Sequence, residues 1–265
     1  MRASVIVTAA LAVAAPPPNA PLPREPAAVA RALGQTTARV LAEIGTWRAS
    51  GRRDVPAELT LDALYQQRLL RRLARDEPLA RRTLPLLPRS VGAFARDVVA
   101  AHRELFRITP PIRAGAIRVG PAAPAEQLLR HYREGERRFH VSWRVLAAVN
   151  FVESAFNKLR SRSAAGAQGP MQFMPSTWRA YGLGGDIHDP HDAILAAANY
   201  LHAAGAARDL RRALYAYNPS PAYVDAVLRY ARRIGVDRRA YFELYSWQVF
   251  VRTPEGERRV TGPGR

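Results

Sequence analysis

The strongest constraint on the fold is the dense series of helix start and stop signals in residues 125–235. Asp189 and Asp209 each precede a helical stretch, and Ser220 is followed by Pro221, a residue favoured at the first helical position. Further caps and stops stand at Ser142, Gly205 and Gly235. These signals predict five or six short helices that form one compact α domain.

The preceding region, residues 27–107, shows helical spacing of apolar residues in three stretches. Thr60 and Ser90 are placed to cap the second and third of them. Charged residues occupy the opposite faces, and nothing there points to catalysis. We predict a small helical bundle that packs against the next domain or a partner, followed by a Pro/Gly/Ala-rich linker over residues 108–124.

The two ends of the chain have different compositions. Residues 1–14 contain an uncharged apolar run after Arg2 and a small-x-small pattern, which predicts a secretory signal peptide; a buried first helix is the alternative. Residues 15–26 are rich in proline and predict an extended linker. No apolar run reaches the roughly 18 residues of a membrane span, so we predict no stable membrane insertion after signal removal. Residues 236–265 predict a C-terminal extension with a β-hairpin, in which Tyr245–Arg252 is the first strand.

The amino-acid composition excludes some classes of site and partner. The formal net charge is +18, and of the 40 basic residues all but Lys158 are arginine. Such spread charge attracts polyanions, but a genome that prefers arginine codons explains it equally well. No nucleic-acid recognition motif accompanies the charge, so no nucleic-acid partner is expected. The chain has no cysteine, which excludes disulfides, thiolate metal sites and a cysteine nucleophile.

Glu153 is the strongest candidate for chemistry. It follows the almost entirely apolar segment Val145–Val152, so its carboxyl group is expected to lose part of its hydration. Desolvation raises a carboxyl pKa and suits a general acid. The alternative is a glutamate that turns to the surface or pairs with an arginine.

Four sequence blocks surround this candidate: Glu153–Asn157, Gly166–Trp178, Ala196–Leu201 and Ala213–Asn218. In this order and spacing they resemble the lytic transglycosylase domain of the lysozyme-like superfamily, over about residues 125–235. The resemblance implies a mainly α protein whose lysozyme-like catalytic domain follows the helical N-terminal region and precedes the hairpin. It also implies cleavage of the β-1,4 bond between N-acetylmuramic acid and N-acetylglucosamine, with 1,6-anhydro ends, by a secreted, cell-wall-associated enzyme.

The resemblance also implies roles for individual residues. Glu153 would be the acid and base, and Tyr217 would hydrogen-bond to it. Substrate contacts would come from Ser163, Met171, Gln172, Tyr217 and Asn218, of which Met171 and Gln172 would line the sugar cleft. Three departures from the family pattern are Pro170 in place of leucine, Pro219-Ser220 in place of Ala-Gly, and a gap before Ser163 that is one residue longer. The blocks offer no second carboxylate, and a transglycosylase needs none because a hydroxyl of the substrate replaces it.

Two alternatives stay open. The same site could hydrolyse the bond with water, or the protein could bind cell wall without cleaving it. Residues 27–107 could recruit other cell-wall enzymes in either case. The segment Asp186–Asp192 mixes histidine and aspartate at ligand-like spacing, but its aspartates are explained as a helix start, so no metal or cofactor is expected. His131, like the other scattered histidines, is interpreted as an ordinary position.

Overall fold

The computed structural model describes residues 14–265; the predicted signal peptide lies outside these residues except for Ala14. The described part is mainly α-helical, with a single two-stranded antiparallel hairpin near its end. No helix within it is long and apolar enough to cross a membrane. The helices are α1 Pro26–Ser50, α2 Ala57–Arg75, α3 Glu77–Thr83, α4 Arg89–Ile108, α5 Ala125–Phe139, α6 Trp143–Ser154, α7 Pro175–Tyr181, α8 Pro190–Ala203, α9 Leu210–Tyr217, α10 Pro221–Val236 and α11 Arg239–Ser246; the strands are β1 Phe250–Thr253 and β2 Gly256–Arg259.

Three of the predicted N-caps act as caps. The Asp189 side chain accepts hydrogen bonds from the backbone N–H groups of His191 and Asp192, and Pro190 is the first residue of α8. The Asp209 carboxylate and the Ser220 hydroxyl accept from the backbone of the first turns of α9 and α10. Each cap satisfies N–H groups that have no partner within the helix, and this sets where the helices of the second domain begin.

Other predicted helix ends were wrong. Thr60 and Ser90 lie inside α2 and α4, because both helices begin directly after a proline, whose fixed φ suits a helix start. Helix α6 does begin at Trp143 after Ser142, as predicted, but the Ser142 side chain makes no capping hydrogen bond. Gly235 does not stop α10, which continues to Val236. The short helices α3 and α11 were not predicted.

The N-terminal helices and the second domain share one hydrophobic core. Helix α4 packs along α10, while α1 packs on α2 and α11. Leu33, Val98 and Val227 are all fully or almost fully buried in this core. The interface also holds Asp97, which pairs with Arg232 and with Arg233, 2.6 Å away. The predicted packing of residues 27–107 against the next domain is therefore confirmed.

Residues 108–124 are not a free linker. The backbone N–H of Ile112 donates to the carbonyl of Arg252 in β1, and that of Gly120 donates to the carbonyl of Lys158. The N–H of Arg118 donates to the Ser161 hydroxyl at 2.8 Å. The segment is thus fastened both to the hairpin and to the loop after α6.

The C-terminal hairpin is confirmed but is shorter than predicted. Tyr245 belongs to α11, and β1 begins only at Phe250. Phe250 pairs with Arg259, and Thr253 pairs with Gly256 across the turn. A small apolar cluster of Val249, Val251 and Val260 seals the hairpin against the 108–124 segment.

Candidate active site

Glu153 is the next-to-last residue of α6, in which the run Val145–Asn150 is buried. Its side chain is half-buried, and Oε1 accepts a hydrogen bond of 2.6 Å from the hydroxyl of Tyr223. Burial raises the pKa of Glu153 to about 7, against the opposing effect of the Tyr223 hydrogen bond. Near neutral pH this carboxyl group can therefore exchange a proton in either direction, as a general acid and base must.

The backbone directly after Glu153 adopts an unusual conformation. Ala155, Phe156 and Asn157 all have left-handed backbone angles, with φ of 50°, 63° and 67°. Such angles cost roughly 1–2 kcal/mol per residue without a glycine. The Phe156 ring is fully buried, and it lies 5.6 Å from the ring of Tyr245 and 5.5 Å from that of Tyr241. This anchoring holds the abrupt end of α6 and so fixes the position of Glu153.

A buried polar network ties α6 to the loop that follows it. Asn150 accepts a hydrogen bond from the Tyr132 hydroxyl at 2.5 Å, and its amide donates to the carbonyl of Pro170 at 2.8 Å. The Ser154 hydroxyl donates to the same carbonyl at 2.6 Å. Sequence reasoning assigned Asn150 and Ser154 no role, although a single polar residue in an apolar helix was a usable signal.

The predicted hydrogen bond between Tyr217 and Glu153 was wrong. The Tyr217 hydroxyl donates instead to the backbone carbonyl of Met171 at 2.6 Å. Helix α10 packs directly on α6, so its first turn, which carries Tyr223, reaches the carboxylate in place of the end of α9. The two tyrosine rings are nearly parallel, with centroids 6.5 Å apart. Tyr217 therefore lies beside the Glu153–Tyr223 pair and braces the loop.

Two predicted cleft residues lie in that loop. Met171 is fully buried, so its side chain does not line an open cleft, and that expectation was wrong. Gln172 is half-buried with φ of 49°, and its amide donates to the carbonyl of Gly169 at 3.0 Å. The two side chains alternate in direction, so the buried thioether fills the core while the amide stays near the surface.

The remaining predicted contacts are less closely associated with Glu153. Ser163 is exposed, and its hydroxyl accepts a hydrogen bond from the N–H of Ala167 at 2.9 Å, which closes a turn of its own loop. Asn218 is half-buried at the end of α9, where its N–H donates to the carbonyl of Leu214. Their roles in substrate binding stay predictions.

A cavity of about 440 Å³ lies near these loops but is separate from the acid. Its walls include neither Glu153 nor the two tyrosines. Its lining comes from segment 121–123 and from residues of loops and of one helix start. The lining residues are Pro121, Ala122, Ala123, Asn157, Arg160, Gly169, His188 and Pro190.

Part of this region matches a known protein family. The family model of the transglycosylase SLT domain matches residues 131–236, which include Glu153, Tyr217 and Tyr223. Searches of curated proteins and of solved structures gave no significant match. Residues 131–236, less than half of the chain, are therefore similar to the transglycosylase SLT domain, which is helical and lysozyme-like. The match supports a lytic transglycosylase of peptidoglycan, in general terms, as the class that this part of the chain resembles.

Proposed function

We propose that this protein cleaves the β-1,4 bond between N-acetylmuramic acid and N-acetylglucosamine in peptidoglycan strands, with Glu153 as the single acid and base. The observation that carries the proposal is the half-buried Glu153 carboxyl group, hydrogen-bonded to Tyr223, with a pKa of about 7. Its occurrence in an SLT domain supplies the substrate class.

The proposed reaction uses one carboxyl group twice. Protonated Glu153 gives its proton to the glycosidic oxygen as the bond from that oxygen to the muramyl C1 breaks. The resulting carboxylate then removes the proton of the muramyl C6 hydroxyl, whose oxygen bonds to C1 and closes the 1,6-anhydro ring. Glu153 ends protonated, so no water is consumed. Tyr223 donates to the carboxylate and stabilises it between the two steps.

The surroundings of Glu153 favour this chemistry over hydrolysis. Ordinary glycosidases use two carboxyl groups, roughly 5–10 Å apart. Burial and the Tyr223 hydroxyl are the influences on the Glu153 pKa, with no contribution from a second carboxylate among residues 14–265. In the proposed reaction the C6 hydroxyl of the substrate attacks C1, in place of a water molecule activated by a second carboxylate.

Substrate binding is proposed for three polar side chains on the loops that follow α6 and α9. Gln172, Ser163 and Asn218 have partly or fully exposed side chains that can reach sugar hydroxyl or amide groups. Tyr217 contributes by holding the loop through the Met171 carbonyl. We further propose an extracytoplasmic location, since peptidoglycan lies there. Export of a reporter fused to residues 1–26, with cleavage near Ala14, would test it.

Digestion of purified peptidoglycan tests the activity directly. The recombinant protein from residue 15 onward and its Glu153→Gln variant are incubated with the polymer, and the soluble products are weighed by mass spectrometry. Products one water lighter than hydrolysed muropeptides, absent with the variant, are expected. Hydrated products would replace the proposed reaction with hydrolysis, and binding without any cleavage would leave a wall-binding role.

A further inference from the structure

Three side chains with metal-binding atoms meet where α5 packs on α8. His131 and Glu134 are three residues apart on α5, and therefore share one face of that helix. They face His191 in the first turn of α8. The ligand atoms of the three residues all lie within 4.8 Å of one another, and the two imidazole centroids are 4.9 Å apart. This His131–Glu134–His191 cluster does not include Glu153.

Both ring nitrogens of His191 face a carboxylate oxygen, an arrangement that suits either a protonated imidazole or a bound metal ion. Its Nδ1 lies 3.1 Å from Oδ1 of Asp192, and its Nε2 lies 3.1 Å from Oε2 of Glu134. A neutral imidazole has one N–H group, so one ring nitrogen would face a carboxylate with a lone pair. A metal ion between Nε2 and Glu134 uses that lone pair, while Asp192 accepts the N–H on the other side. Metal-binding histidines commonly have this carboxylate partner.

The neighbouring aspartates are already engaged. Asp189 caps α8 by accepting two backbone N–H groups. Oδ2 of Asp192 accepts the N–H of Asp186 at 2.9 Å, which orients its other oxygen toward His191. The aspartates thus support the cluster and leave the metal to two nitrogens and one carboxylate oxygen.

We propose that the His131–Glu134–His191 cluster binds one zinc ion that links α5 to α8. Tetrahedral zinc with bonds of about 2.0–2.2 Å holds its ligand atoms roughly 3.4 Å apart. The Glu134–His191 pair, 3.1 Å apart, is close to this separation. The ligand atom of His131 lies within 4.8 Å of the other two and would have to move closer when zinc binds. All three side chains are half-buried, so the ion can enter and water can take the fourth position. Two imidazoles favour zinc over calcium or magnesium.

Calorimetric titration of the full chain with zinc chloride, after treatment with a chelator, tests the site. One zinc per chain is expected, with a rise in melting temperature because the ion binds the folded state. His131→Gln and His191→Gln should each weaken binding at least about 10-fold, and Asp192→Asn should weaken it by about 10-fold. The matched control is His202→Gln, which removes an exposed histidine of α8 outside the cluster. This control should bind zinc as the unchanged protein does.

Two results would overturn the proposal. The first is no stoichiometric binding by the unchanged protein, which would leave His191 as an imidazolium between two carboxylates. The second is a zinc affinity in the His131 and His191 variants equal to that of the unchanged protein, provided circular dichroism shows that the variants are folded. Cobalt gives an independent readout, because a cobalt ion at this site would show visible absorption bands that the two variants lack. None of these measurements depends on peptidoglycan cleavage.

Discussion

Glu153 and Glu243 lie in different regions of the molecule, and burial desolvates the carboxyl groups of both. Burial raises the pKa of Glu153 to about 7 and that of Glu243 to about 8. Glu153 is half-buried beside Tyr223, whereas the Glu243 residue on α11 is only 2% exposed. The difference teaches that desolvation alone does not mark a catalytic acid, because only a carboxyl group with an open side can meet a substrate.

The surroundings of Glu243 are those of a structural contact. The Gln66 side chain of α2 donates to the Glu243 carboxylate and also to the Thr37 hydroxyl, 3.0 Å away. The indole N–H of Trp247 donates to the Gln66 carbonyl oxygen at 3.2 Å. Glu243 therefore joins α11 to the N-terminal helices through a closed network.

The largest expected effect is a difference in peptidoglycan cleavage between variants of the two carboxyl groups. Glu153→Gln should reduce peptidoglycan cleavage by about 10³-fold or more, since it removes the proposed proton donor. Glu243→Gln should leave cleavage within about 3-fold, because it keeps shape and hydrogen bonding far from substrate. Initial rates of release of soluble fragments measure both. Equal losses in the two variants would erase the proposed distinction.

The next effect concerns stability against pH. The Glu243 pKa is raised from its ordinary 4.5 to about 8, so the folded state favours the neutral form. The contribution of this raised pKa to the free energy of unfolding is fully present below pH 4.5. It is lost as the pH rises through 8. At pH 9 Glu243→Gln should therefore be more stable than the unchanged protein by about 5 kcal/mol, with little gain near pH 4.5. Urea unfolding at several pH values measures this, and parallel stability curves would contradict it.

A smaller loss is expected from breaking the Gln66 network. Gln66→Leu leaves Glu243 and the Trp247 indole without their partner, which should cost about 2 kcal/mol of unfolding free energy. The loss should be smaller when Glu243→Gln is already present, because the two residues are coupled. Urea unfolding of the single and double variants measures the coupling. Additive losses would show that Gln66 and Glu243 act separately.

The smallest effect distinguishes the two tyrosines near Glu153. Tyr223→Phe should reduce cleavage about 10-fold, since it removes the hydrogen bond that stabilises the carboxylate. Because that bond lowers the pKa of Glu153, its loss should move the alkaline limit of activity to higher pH. Tyr217→Phe is the matched control and should leave this limit in place. Identical pH profiles in both variants would refute a positioning role for Tyr223.

Local patterns predicted much of the fold and part of the site. Caps such as Asp189 act within one turn, so they can be recognised from neighbouring residues alone. The desolvation of Glu153 followed from the apolar helix before it. The partner of Glu153 could not be predicted in this way, because Tyr217 and Tyr223 are close in sequence and only the packing of α10 on α6 selects between them.

The sequence by itself determined the helical character of the described residues, the four sequence blocks, the hairpin and the desolvated glutamate at the end of α6. These features depend on periodicity, capping and burial over short stretches, so residues close together in the sequence determine them. Tertiary structure alone decided that residues 108–124 are fastened, that Met171 is buried and that His131 meets His191. Each is a contact between elements distant in sequence, and its free energy depends on neighbours that no local pattern specifies.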